Sequence, residues 1–541
     1  MPSSFPRLAV MRRLGIAAAL IVAVVGASES MRAQAFRVDT AEIVRFLEQS
    51  TWGPTPELIA HVRDVGIGDF LDEQFEAPMT GYPPMELYPT TRDQATCPNG
   101  SACQRDNYTM HPLQTRFFRN ALYGEDQLRQ RVAFALHQII VVSGIDITLP
   151  GWMTPYLQTL YRNAFGDYRD LLYEITLNPA MGNYLDINGN SRTRPNENYA
   201  REVLQLFSIG TVLLNPDGTP QLDRDGLPLP AYDQTTVDNF SRVFTGLRFA
   251  AAPRAGVPNY IDPMVVNEPQ HDTDQKVLLN GVILPAGQDT DRDLKVAVDN
   301  IAGHPNVAPF IAKQLIQHLV TSNPSPDYVR RVADAYEGPI WRRRNLRSVV
   351  RRILLDPEAR KRPTDPSFGR LRHPVQFITS VLRAFNARSA DGSAESDGVL
   401  YPQSATMGMD LFRPPSVFSY FSPFGGLPGG NGLRGPEFGV LSTSTALARL
   451  NFVNTMVYSR IAAGANGAGT SIDLSPLQPL AATPADLVNE LDTRLLHGSM
   501  SQPMRDSIGG AVNAVPASDP LRRVRTAVYL VLTSSQYQVQ R

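Results

Sequence analysis

The sequence predicts a mainly α-helical protein, a multi-helix globular body interrupted by a β-hairpin-rich insert at about residues 211–293. Apolar residues recur at three- and four-residue spacing through most of the chain, as in 128–137 and 196–209. Between 211 and 293 that spacing fails, and Asp217-Gly218, Asp225-Gly226 and Asn280-Gly281 separate short apolar runs. A chain of about 500 residues after its leader exceeds what one hydrophobic core usually covers, and its ordinary charged fraction marks it as folded.

Residues 1–35 read as a secretory signal. Arg7, Arg12 and Arg13 precede an apolar run over 14–27, and Ala33-Gln34-Ala35 fits a small-x-small cleavage site. The run is shorter than the roughly 20 residues of a membrane span, so no transmembrane anchor is expected after cleavage. Cleavage would take the formal charge from −1 to −4. That balance argues against a nucleic-acid partner. The basic run Arg342, Arg343, Arg344, Arg347, Arg351 and Arg352 reads as the solvated face of a helix, with an anion-binding or membrane-surface patch as the alternative.

The segments then follow in order. Residues 36–80 are helical, with Asp39-Thr40-Ala41-Glu42 as a capping box and Pro56 at a helix start. Residues 81–112 form a Pro- and Gly-containing loop that one disulfide, Cys97–Cys103, would pin. A helical core spans 113–210, ended by Gly210. The insert contains one helix near 237–244. Helices resume over 294–388, including 306–320 and 325–336. A Gly/Pro-rich loop covers 389–435, and C-terminal helices fill 436–541.

Two polar clusters carry candidate chemistry. Asp186, Asn188, Asn190 and Glu197 hold the first, third, fifth and twelfth places of a loop that runs into a helix, the spacing of calcium loops. Ser191 stands where such loops need Gly, so the alternative is an interhelical loop using Asp and Asn for turns. Ca2+ is the cofactor this loop would take. On the following helix, Glu197 and Arg201 form an i,i+4 pair, and Glu202 is a candidate general base. The second cluster is His271, Asp272 and Lys276, residue types able to bind a metal or move protons, or merely a polar turn. His137 and His318 lie among apolar neighbours and read as core histidines. No zinc-protease, esterase, P-loop, dinucleotide or haem-attachment signature occurs.

Several segments resemble the large bacterial family catalogued as domain of unknown function 1800. They are 46–54 (FLEQSTWGP), 178–186 (NPAMGNYLD), 195–210 (PNENYAREVLQLFSIG), Phe244-Thr245-Gly246, His271-Asp272 with Lys276, 305–325 and 413–423 (RPPSVFSYFSP). The resemblance implies an exported, mainly helical protein whose gene sits beside that of a sulfatase-like exported protein. It implies no particular activity. Two functional readings follow. One is a non-enzymatic envelope or secreted binding or assembly factor, paired with the sulfatase-like protein. The other is a metal-assisted hydrolase in which Glu197, Glu202, His271 and Asp272 converge on one cleft.

Overall fold

The computed structural model describes residues 39–339, 343–361 and 365–541. The signal segment 1–35 and Arg342 of the basic run lie outside the described residues. The fold is mainly α: many short helices pack around apolar residues that run from Ile43 to Tyr537, and strands are confined to antiparallel pairs two residues long. No described helix is long and apolar enough to cross a membrane.

Helix α1 (Thr40–Ser50) starts at Asp39, whose carboxylate accepts from the Ala41 N–H. After it, Gly53 takes φ +133°, and a Cβ there would stand 2.7 Å from the Cα of Ser380. The close approach lets Arg383 Nε donate to the Gly53 carbonyl at 2.6 Å, which explains the Trp-Gly-Pro stretch. In the expected loop 81–112 the chain forms the Cys97–Cys103 disulfide and one extra helix, α2 (Ala102–Asn107), capped by Ser101. Helices α3 (His111–Tyr123) and α4 (Gln127–Ile139) then enter the core.

The helix expected over 196–209 is shorter. Helix α5 spans Asn198–Gln205, and the chain unwinds through bonds from Ile209 and Gly210 N–H groups to the Leu204 carbonyl. Within the insert, helix α6 (Gln234–Val243) begins where Asp233 caps it. The hairpin character is real but reduced. Leu247–Arg248 pairs with Val265–Val266, and Lys276–Val277 with Ile283–Leu284. Elsewhere single bridges join Val212 to Pro230, Leu214 to Pro220 and Leu222 to Pro228. Each involves a proline, which lacks the N–H needed to extend a ladder.

Helices α7 (Thr290–Ala302) and α8 (Val307–Leu319) rebuild the helical body, followed by Leu346–Leu355 and α9 (Pro374–Ala384). The described arginines of the basic run are engaged. Arg347 meets Glu76 and Arg351 meets Asp72, each at 2.5 Å, while Leu346, Val349, Val350 and Leu354 are buried behind them. One strand pair was not legible in the sequence: Arg370–Leu371 with Val539–Gln540, which ties the last residues to the middle of the chain.

Candidate functional site

A polar cleft of about 430 Å³ opens beside the disulfide. Its first wall is built locally. The Cys97–Cys103 bond holds Gly100 and Ser101, and the short α2 projects Arg105. Thr109 bonds back to the Arg105 carbonyl at 2.6 Å and accepts from the His111 N–H at 3.2 Å. Helix α3 therefore begins with His111 at the cleft and Gln114 one turn later. The second wall comes from far along the chain: Tyr401 at the start of the helix Tyr401–Thr406, then Asp410 and Arg413, with Asn466 at the rim.

These side chains brace one another. Gln114 Nε2 donates to Asp410 Oδ1 at 3.1 Å and to the Leu411 carbonyl at 2.8 Å. Arg413 pairs with Asp410 at 3.1 Å. Arg105 pairs with Asp106 at 2.7 Å and reaches Asn466 Oδ1 at 3.2 Å. The His111 ring meets the Tyr401 ring edge-on, with centroids 5.6 Å apart. Burial, with Arg105 nearby, pushes the His111 imidazole below its ordinary value. Burial raises the Asp410 carboxyl against the pull of Arg413. The Nδ1 of His111 is enclosed without a hydrogen-bond partner, and the two Arg–Asp pairs cancel in charge. The cleft thus presents planar hydrogen-bonding groups and one aromatic ring, and each of its two arginines is charge-paired, Arg413 with Asp410 in the lining and Arg105 with Asp106 beside it.

The residues named from the sequence lie elsewhere. In the loop, Asp186 Oδ2 accepts from Asn198 Nδ2 at 2.6 Å, Asn188 Oδ1 from the Phe249 N–H at 2.9 Å, and Asn190 Oδ1 from the Asn196 N–H at 2.9 Å. Glu197 holds Arg201 at 2.5 Å and accepts from Gln234 at 3.1 Å. Glu202 is half-buried, its carboxyl pushed up by burial, with one oxygen enclosed and unpartnered. His271 and Lys276 are buried, and both reach Asp293 Oδ2, at 3.2 and 2.8 Å. Asp272 takes Arg242 through both oxygens at 2.8 and 2.9 Å.

Helix α6 keeps the two clusters apart. Glu197 contacts its residue Gln234 and Asp272 its residue Arg242. Eight residues of helix separate those positions by about 12 Å. Among the described residues, no three His, Cys, Asp or Glu side chains gather closely enough to hold a metal ion. Sequence reasoning missed His111, Gln114, Tyr401 and Asp410, which no local motif joins. The disulfide and the segment beginning at Arg413 were the only pointers to them.

Comparison with curated proteins finds no match, and comparison with solved structures finds none. The profile of one family, described as "Protein of unknown function (DUF1800)", matches residues 45–539. With nearly its whole length so matched, the chain belongs to that family.

Proposed function

We propose that the chain is an exported binding protein whose cleft at His111, Gln114, Tyr401, Asp410 and Arg413 takes an uncharged, polyhydroxylated ligand of the saccharide class. The observation that carries this reading is the cleft's composition. Paired Arg–Asp groups and Gln114 offer donors and acceptors in fixed planes, and Tyr401 offers an apolar face. Cancelled charge favours a neutral ligand over an anion. By contrast, His271 has its ring nitrogens engaged by Asp293 and Thr245, and Lys276 its ammonium by Asp293 and the Asp272 and Asp274 carbonyls, which leaves the hydrolase reading without an open constellation.

Export is supported by the basic–apolar N-terminus and by the disulfide. Action beside a sulfatase-like exported protein follows from the family resemblance. Calorimetric titration of the full chain with neutral mono- and disaccharides tests the cleft. At least one should bind, and Tyr401→Ala and Asp410→Asn should each weaken it by about tenfold or more, about 1.4 kcal/mol. Binding by none, or binding indifferent to both changes, would discard the assignment. Protein recovered from the periplasm should begin at Phe36.

A further inference from the structure

A second cleft lies between α8 and the loops that face it. Phe310, Lys313, Gln314 and Gln317 share one side of α8, at the three- and four-residue spacing that stacks side chains on a helix face. Val212 and Leu214 from the insert oppose them, with Pro423, Phe424 and Arg434 from the Gly/Pro-rich loop. They enclose about 350 Å³ with largely apolar walls. Gly210 is required at its floor, because a Cβ there would meet the Phe310 ring at 2.9 Å. Gln314, Gln317 and Pro423 also line a small neighbouring cavity of about 20 Å³, whose other walls are Gln138, His318, Ser419, Phe421, Pro436 and Glu437, and we take it as the inner end of the site.

The inner end shows unmet bonding capacity, and the outer end holds two cations. At the inner end, Gln138 Oε1, Gln314 Nε2 and Ser419 Oγ are buried without partners, on side chains exposed by only 7%, 7% and 4%. Native proteins seldom leave such atoms unsatisfied. Charge does not explain them, since Glu437 is already paired with Arg370 at 2.9 Å and burial keeps His318 neutral, at about 3. At the outer end stand Lys313 and Arg434. Neither forms an ion pair within the described residues, although Asp217 lies near enough to Lys313 to be felt. Burial, reinforced by Arg434, holds the Lys313 ammonium below its ordinary value. A bound anion would offset the burial of Lys313, with Arg434, exposed and donating to the Phe424 carbonyl, as its second cation.

We infer that this cleft binds an aliphatic carboxylate carrying a hydroxyl remote from the carboxylate. The carboxylate lies between Lys313 and Arg434, the chain runs along Phe310, Leu214 and Phe424, and the hydroxyl meets Gln138, Gln314 and Ser419. This site shares no residue with the cleft beside the disulfide, so either assignment stands or falls alone.

The test is calorimetric titration of the full chain with ω-hydroxyalkanoates from hexanoate to dodecanoate length, below their micellar concentrations, against α,ω-diols of the same lengths. One acid should bind at a single site, at least about tenfold more tightly than its diol, because only the acid is charge-paired. Lys313→Met and Arg434→Gln should each erase most of that preference and leave diol binding unchanged. Arg434 is exposed, so its variant remains readable if Lys313→Met fails to fold. The assignment is overturned if no acid binds, if diols bind equally well, or if Arg434→Gln keeps the preference.

Discussion

Arg372 holds Glu48 through both carboxylate oxygens, at 2.6 and 2.7 Å, with both side chains buried. His497 closes on the same carboxylate at 2.7 Å. One acid of α1 thereby ties the first helix to α9's approach and to the C-terminal helices. Burial works against ionisation of Glu48, and Arg372 and His497 outweigh it, lowering the carboxyl from 4.5 to about 2. A folded-state value below the unfolded one adds stability that is complete above pH 4.5 and disappears as pH falls towards 2. The difference corresponds to about 3 kcal/mol. Glu48→Gln should lower the denaturation midpoint at pH 7, since it leaves the buried Arg372 guanidinium without its carboxylate. It should also flatten the acid limb between pH 4.5 and 2. An unchanged acid limb would remove Glu48 from this role.

Asp293 has the same logic at the second cluster. Burial pushes its carboxyl up, and His271 and Lys276 more than compensate, leaving it below the ordinary carboxylate range. Asp293→Asn strands the Lys276 ammonium, at a cost of about 3–5 kcal/mol. Adding Lys276→Met should recover much of the loss. Urea midpoints for both variants decide it: a double variant no more stable than the single one would mean that the pair is uncoupled.

The contrast between these clusters and the cleft shows what can be read without coordinates. Helix starts are local: Ser325 before Pro326 announces its helix because the hydroxyl needs only the Tyr328 N–H three residues on. The disulfide was equally local. His271, Asp272 and Lys276 look like an exposed polar loop in sequence, because their partners lie on other elements: Asp293 on the next helix for His271 and Lys276, Arg242 on α6 for Asp272. Gln114 and Asp410 meet across 296 positions, and no spacing rule relates them. In the insert, turn pairs such as Asp225-Gly226 signal the reversal, and the neighbouring prolines keep the ladders to single bridges.

The disulfide should act locally. It closes a span of 6 residues, worth about 2 kcal/mol by loop entropy, and it anchors α2, itself too short to persist alone. Cys97→Ser with Cys103→Ser should speed amide hydrogen exchange in α2 and at the start of α3. Exchange around Glu48 should be unaffected. Uniformly faster exchange across the chain would instead make the bond a global determinant of stability.

The loop from Asp186 to Glu197 yields the last expectation. Its Asn188 and Asn190 carbonyl oxygens already accept backbone N–H groups, and Asp186 already accepts from Asn198. Calcium at these atoms would compete with those bonds and with the Arg201 charge held on Glu197. Chelator dialysis should therefore leave the melting temperature unchanged. Glu197→Ala removes a pair whose side chains are 39% and 44% exposed, so it should cost only a few tenths of a kcal/mol. A melting temperature that rises with added calcium, and no longer rises after Glu197→Ala, would show that the loop rearranges around an ion after all.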